Sequence, residues 1–282
     1  MDDGAATESI ITAALSTLPP SQLVSLSFSL FSTFHRHHRR LSSLLSSPTL
    51  FSHTLNHLYS LPLQKKSLLI ARHLLSTLHL LTPFFPPHSA TPFSASISRR
   101  DLDAALLLLL FCEIRQHDPK LLEASPPADW HRVLTKYFFE TLLSLSGIKT
   151  GPSEVLGCFI EILVKCKRLA GAAGCRGGKA RRDVPASAAV VVAPLPSVEV
   201  GSGGSGECVI CREEMAEGRE ACELPCGHLF HWSCVLRWLT NRNTCPCCRL
   251  RLPSDDVSGE IDRLLEGLVR VGRSQLNGDQ CI

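Results

Sequence analysis

Between residues 208 and 248 the chain gathers eight of its thirteen cysteines and two closely spaced histidines, in the stretches CVIC, CGHLFHWSC and CPCC. Such density leaves three explanations: a disulfide staple, a reactive or redox thiol, or a metal site. An odd cysteine total fits poorly with a complete disulfide framework. The first residues, MDDGAATESI, are acidic and lack the basic and apolar regions of a secretory signal. The expected location is therefore cytoplasmic and/or nuclear, where thiols stay reduced. A redox C-x-x-C pair needs an electropositive, exposed setting, normally on a βαβ unit, and no such unit is visible here.

The remaining explanation accounts for the spacing. The ligand-type residues fall into four pairs: Cys208 with Cys211, Cys226 with His228, His231 with Cys234, and Cys245 with Cys248. A C-x2-C turn aims two thiolates at one tetrahedral ion while the amides of the turn donate to the sulfurs. Eight ligands imply two zinc ions with no open coordination position, and closed sites are structural rather than catalytic. In a module this small, metal binding is largely folding free energy.

The order Cys-x2-Cys-x14-Cys-x1-His-x2-His-x2-Cys-x10-Cys-x2-Cys resembles the RING-H2 zinc finger of E3 ubiquitin ligases, in which the fourth and fifth ligands are both histidine. A PHD finger fits less well, because it keeps one histidine and a tryptophan two residues before the seventh ligand, where this chain has Asn243. The resemblance covers residues 207–252 and implies a cross-brace. One zinc takes Cys208, Cys211, His231 and Cys234, and the other takes Cys226, His228, Cys245 and Cys248. Cys222 and Cys247 are then surplus, since using either would break the family spacing.

The resemblance also implies a docking surface for a ubiquitin-conjugating enzyme (E2). Ile210 stands in the first zinc loop, Trp238 on the central helix and Pro246 in the second loop. Arg249, directly after the last ligand, matches the cationic linchpin and is the expected catalytic group. The implied activity is that of a RING-type E3 ubiquitin transferase with no covalent ubiquitin intermediate of its own. Its partners are an E2, ubiquitin and an unknown protein substrate. The competing reading is a non-catalytic adaptor whose zinc module only mediates assembly. Ile210, Trp238, Pro246 and Arg249 together favour the ligase, because an adaptor has no need of all four.

The rest of the chain supplies the fold class: multidomain, with an all-α N-terminal domain, a flexible linker, a small α+β zinc module and a short C-terminal helix. Residues 1–170 read as helices separated by prolines, and they are the expected substrate-binding part. In ADWHRVLTKYFFETLLSLSG, apolar residues from Trp130 to Leu145 recur at three- and four-residue steps, with Gly147 as the expected terminator. In SEVLGCFIEILVKCKR, Ser153 reads as the N-cap, and Cys158 and Cys166 fall on the apolar side. LVSLSFSLF (Leu23–Phe31) alternates like a strand, but its surroundings favour helix.

Residues 171–206, rich in Gly, Ala, Pro and Ser, show no period and read as a flexible linker. A coil of that length spans roughly 30–35 Å. Residues 253–282 form an acidic tail in which Val257, Ile261, Leu264, Leu265 and Leu268 make a helical stripe. The run HRHHRR (His35–Arg40) reads as a solvated helix end, and KARR (Lys179–Arg182) is a candidate nuclear localisation signal. A net charge of +3 is too small to draw nucleic acid or membrane, so no nucleic acid is expected. The longest apolar run, Leu102–Cys112, is about half of what a bilayer core requires, so no membrane span is expected.

Overall fold

The computed structural model describes residues 3–85, 97–145, 152–172, 185–186, 192–193, 195–201, 206–216 and 218–278. The chain divides into two compact units: Met1–Phe84, Ser96–Arg176 and Leu268–Ile282 in the first, Phe85–Ala95 and Gly177–Gly267 in the second.

The first unit is helical, and proline chemistry sets where its helices begin. They are α1 (Asp3–Leu15), α2 (Pro20–Ser46), α3 (Pro48–Ser60), α4 (Leu63–Leu78), α5 (Arg99–His117), α6 (Pro119–Glu123), α7 (Trp130–Leu145) and α8 (Pro152–Ala172). Pro20, Pro48, Pro119 and Pro152 each open a helix, where a missing N–H costs nothing because the first amides have no intrahelical acceptor. Ser47, Ser98 and Asp118 cap α3, α5 and α6 by accepting backbone N–H groups of Leu50, Asp101 and Leu121.

α8 packs against α1, α2 and α4, while α5 packs against α3 and α4. Leu44, Leu45, Phe51, Leu107, Ile114, Leu134 and Phe138 build part of the core. The leucine run of α5 is thus an interior helix, and no described helix is long and apolar enough to cross a membrane. Leu23–Phe31 is helical, inside α2.

Three expectations for this unit change. HRHHRR is not a helix end: it lies inside the 27-residue α2. His38 stacks on Phe138 with ring centroids 4.9 Å apart, and Arg40 pairs with Asp103 at 2.9 Å. His38 and Arg40 are thus part of the packing, whereas His35, Arg36 and Arg39 are exposed, as a solvated run would be. On α8, Val155, Phe159 and Leu163 are buried, and so, as expected, is Cys166, but Cys158 is exposed. The apolar stripe is narrower than the periodicity suggested. Finally, α8 begins at Pro152, so Ser153 stands within the helix. Gly147, Cys175, Lys179–Arg182 and Cys281 lie outside the described residues.

The second unit is built on a three-stranded antiparallel sheet: β1 (Ser197–Glu199), β2 (Glu220–Glu223) and β3 (Leu229–Phe230), in the order β1-β2-β3. α9 (Trp232–Leu239) follows β3 directly. Its core includes Met215, Ala221, Leu224, Phe230, Val235, Leu239 and Leu252. The expected linker does not run featureless to residue 206. Ser197, Val198 and Glu199 pair with Cys222, Ala221 and Glu220. Ala186 and Val200 are buried in the core, and the Ala186 amide donates to the Leu239 carbonyl at 2.9 Å. The physical reason is that β2 would otherwise expose a row of unpaired amides and carbonyls, which β1 satisfies.

α10 (Val257–Gly278) carries the predicted stripe, with Ile261, Leu265 and Leu268 buried. Asp256 caps it by accepting from the Gly259 amide at 2.9 Å. In the second unit, Glu260 is fully buried and bound to Arg263, and Arg251 reaches Glu266 at 2.9 Å.

Candidate metal centres and docking face

Two turns of the same design present the first and last ligand pairs. In the first, the Arg212 amide donates to the Cys208 carbonyl at 2.7 Å and the Cys208 amide to the Glu213 carbonyl at 2.9 Å. In the second, Arg249 donates to Cys245 at 3.0 Å and Cys245 to Leu250 at 2.9 Å. Arg212 and Arg249 have φ of 61° and 60°, the left-handed conformation that lets the chain double back after the second cysteine. Isolated bridges, Glu207 with Glu214 and Thr244 with Arg251, close the two stems.

The middle pairs come from other elements. Cys226 and His228 flank Gly227, whose φ of 77° turns the chain between β2 and β3. His231 and Cys234 open α9; His231 sits at the N-cap without a capping bond, since its ring is used elsewhere. Its Nδ1 lies 3.3 Å from the Sγ of Cys211, and His228 Nδ1 lies 3.3 Å from the Sγ of Cys226.

The ligand atoms converge on two centres. Those of Cys208, Cys211, His231 and Cys234 all lie within 4.8 Å of one another, and so do those of Cys226, His228, Cys245 and Cys248. Each centre takes one C-x2-C turn and one middle pair, so the pairs interleave. Zinc bonds of about 2.0–2.3 Å in a tetrahedron place neighbouring ligand atoms roughly 3.3–3.8 Å apart, which suits the sulfur–nitrogen separations observed.

In each cluster one thiol resists ionisation, Cys226 in one and Cys211 in the other. Desolvation and the adjacent Cys245 and Cys248 push Cys226 up to about 12, against a backbone hydrogen bond at His228 that lowers it. At Cys211 a backbone hydrogen bond from Glu213 pulls down. Desolvation and the Cys234 and Cys208 thiols outweigh it and leave the group at about 11. A positive ion beside them would favour the thiolate form of both. Each cluster can hold one zinc ion, and the chemistry supplied is structural cross-linking.

Around the clusters lie the residues expected to dock a partner. Trp238 is half-buried on α9, and its Nε1 donates to the Thr244 carbonyl at 2.7 Å, which fixes the ring beside the second turn. The Arg242 guanidinium covers the ring at 4.9 Å. Ile210 is half-buried against the core, Pro246 is half-buried, and Arg249 is exposed.

A family model described as Ring finger domain matches residues 206–249. The chain is 49% identical over 273 residues to E3 ubiquitin-protein ligase SGR9, amyloplastic, of Arabidopsis thaliana, spanning 93% of this chain and 95% of that protein. The chain belongs to the RING-type E3 ubiquitin-protein ligase family.

E3 ubiquitin-protein ligase RNF181 of Rattus norvegicus is 43% identical over 77 residues, 27% of this chain and 47% of that protein. E3 ubiquitin-protein ligase RDUF1 of Arabidopsis thaliana is 34% identical over 119 residues, 40% of this chain and 30% of that protein. No solved structure matches. The ligase is a ubiquitin transferase with a two-zinc finger, and membership implies an E2 and ubiquitin as partners.

Neither surplus cysteine belongs to a cluster. Cys222 is fully buried on β2, where desolvation pushes its thiol up to about 11. Cys247 is exposed. Sequence reasoning missed three features of the site. Val209, beside Ile210, is 54% exposed, a bare apolar side chain on the first turn. Arg212 shares the backbone conformation of Arg249, and the repeated C-x2-C-R string was the available signal. The strand at Ser197–Glu199 left only the brief alternation SVEV.

Proposed function

We propose that the ligase binds a ubiquitin-charged E2 on a face made by Ile210, Trp238 and Pro246 and promotes direct transfer of ubiquitin to a substrate lysine. The observation that carries this reading is the pairing of Trp238 with the second zinc turn through Thr244, since Pro246 and Arg249 belong to that same turn. Ile210, with exposed Val209, extends the apolar surface from the first turn. Trp238 is its anchor, a large side chain already held in one orientation.

Arg249 is the catalytic group in this reading. Its planar fork of five donors can bridge E2 and ubiquitin together and hold the thioester in a near-attack geometry. The ligase supplies positioning, and the thioester stays on the E2 until the lysine attacks. The helical unit holds the protein substrate. Val24, Phe28 and Phe31 support that role, since they lie on one side of α2 at 44%, 72% and 54% exposure. The location proposed is cytosolic and/or nuclear, where thiols remain reduced for metal binding. The Arabidopsis relative carries the word amyloplastic in its name, so a fluorescent fusion imaged against a plastid marker separates the two outcomes.

Reconstitution with E1, a panel of E2s and ubiquitin tests the reading. Wild type is expected to accelerate discharge of at least one charged E2. Trp238→Ala is expected to weaken E2 binding by about 2 kcal/mol, roughly thirtyfold, as a hot-spot truncation does. Discharge by no E2, or full activity of Trp238→Ala, sinks the account.

A further inference from the structure

The chain has eight lysines and twenty-one arginines, and they are not distributed alike. Every lysine lies at or before Lys179. Residues 180–282 carry eleven arginines and no lysine. Folding accounts for some of these arginines, Arg263 bound through two nitrogens to buried Glu260 and Arg242 stacked over Trp238, but not for all of them. The Arg251–Glu266 pair is a surface contact that an ammonium could make, and Arg219 and Arg237 are exposed positions where any cation would serve. The two side chains differ in chemistry: a guanidinium stays protonated and offers no nucleophilic lone pair, whereas a lysine amine is the acceptor in ubiquitin transfer.

We propose that the second unit, whose described residues from 185 to 267 hold no lysine, is the platform on which charged E2 docks without modifying it, and that self-ubiquitylation falls on Lys65, Lys66 and Lys120 of the helical unit. The proposal rests on the ligase reading above. Among the described lysines, Lys165 is tied to Glu113 at 2.9 Å and Glu161 at 3.2 Å, and Lys167 donates to Thr7 at 3.0 Å. Lys136 also has a partner. Lys65, at the start of α4, and Lys120, on α6, are exposed, and Lys66 is half-buried; the side-chain amine of none of the three makes a hydrogen bond or ion pair among the described residues. Their side chains can reach a thioester without first breaking a contact.

In the step itself the neutral ε-nitrogen attacks the carbonyl of the E2–ubiquitin thioester. A nitrogen–carbon bond forms, the carbon–sulfur bond breaks, the amine gives up a proton and the E2 thiol leaves with one. Nothing is oxidised or reduced.

The test uses the full-length, zinc-loaded protein with E1, ATP, an active E2 and ubiquitin. Di-glycine remnants are mapped by mass spectrometry, while discharge of charged E2 onto free lysine is followed in parallel. Remnants are expected on Lys65, Lys66 and Lys120. The combined variant K65R/K66R/K120R is expected to lose self-modification with discharge onto free lysine unchanged. Arg219→Lys, which places an amine on the platform, is expected to gain a remnant at that position. Remnants chiefly on other lysines, on the N-terminal amine or on hydroxyls and thiols of residues 180–282 overturn the proposal. So does an unmodified Arg219→Lys, or a triple variant that still modifies itself fully. If wild type fails even to discharge E2 onto free lysine, the ligase reading has failed, and this proposal falls with it.

Discussion

Arg249 holds a left-handed backbone conformation, which costs a residue with a Cβ about 1–2 kcal/mol relative to the common regions. Glycine adopts it freely, so replacing the arginine with glycine removes the side chain without straining the turn. Arg212 occupies the equivalent place in the other turn with nearly the same φ, and it supplies the control. Arg249→Gly and Arg212→Gly are both expected to leave the melting temperature of the zinc module unchanged or slightly raised. Only Arg249→Gly should abolish acceleration of ubiquitin discharge, measured in the same preparation by single-turnover gels. A shared loss of activity would mean that the turns, and not the Arg249 fork, carry the effect. Cys247 poses the complementary question, because it is an exposed thiol beside a ligand. Under direct transfer, Cys247→Ser keeps full activity, and no thiol-sensitive ubiquitin adduct of the ligase accumulates.

At the scale of elements, the segment before the finger is the least expected part of the fold. Val200 is 4% exposed, its amide donates to the Arg219 carbonyl, and its carbonyl accepts from Gly218. Val200→Asp would bury a carboxylate with no partner in a small core, a cost of at least about 2 kcal/mol. The variant is therefore expected to release zinc faster to a metallochromic chelator than wild type. Equal release rates would show that β1 does not stabilise the finger. The eight ligands were legible beforehand because their spacing is dictated by coordination and needs no partner elsewhere in the chain. β1 was not legible, because its three residues lie in a Gly/Ala/Pro-rich stretch and its pairing residues stand more than twenty positions away. HRHHRR misled for a related reason. Charge alone suggested solvent, while Asp103 and Phe138, which receive Arg40 and His38, come from α5 and α7. Prolines, by contrast, act locally, and they marked helix starts correctly at Pro20, Pro48, Pro119 and Pro152.

For the whole molecule, the two units depend on different physics, and acid separates them. In the second unit, protonation of ligand thiolates and imidazoles competes with metal. In the first, the sensitive group is His73 on α4, 3% exposed, with a ring nitrogen that has no hydrogen-bond partner and with His37 at 5.3 Å between ring centroids. Burial, reinforced by His37, lowers its pKa to about 4, and burial beside Arg36 lowers that of His37. Above pH 6.5 the His73 ring is neutral whether the unit is folded or not, so it adds no pH dependence. Between pH 6.5 and about 4 the unfolded chain takes up a proton that the folded one refuses, so stability falls with falling pH across that window. The full loss is on the order of 3 kcal/mol at about 1.4 kcal/mol per pKa unit. Replacing His73 with leucine removes the titrating group and keeps an apolar side chain in its place. Urea unfolding of wild type and His73→Leu, followed by helical circular dichroism at pH 7 and pH 5, is expected to show a larger drop in midpoint for wild type. Because both proteins carry the same zinc ligands, metal loss in acid cancels in the comparison. Parallel pH dependences would mean that His73 is protonated in the folded state after all.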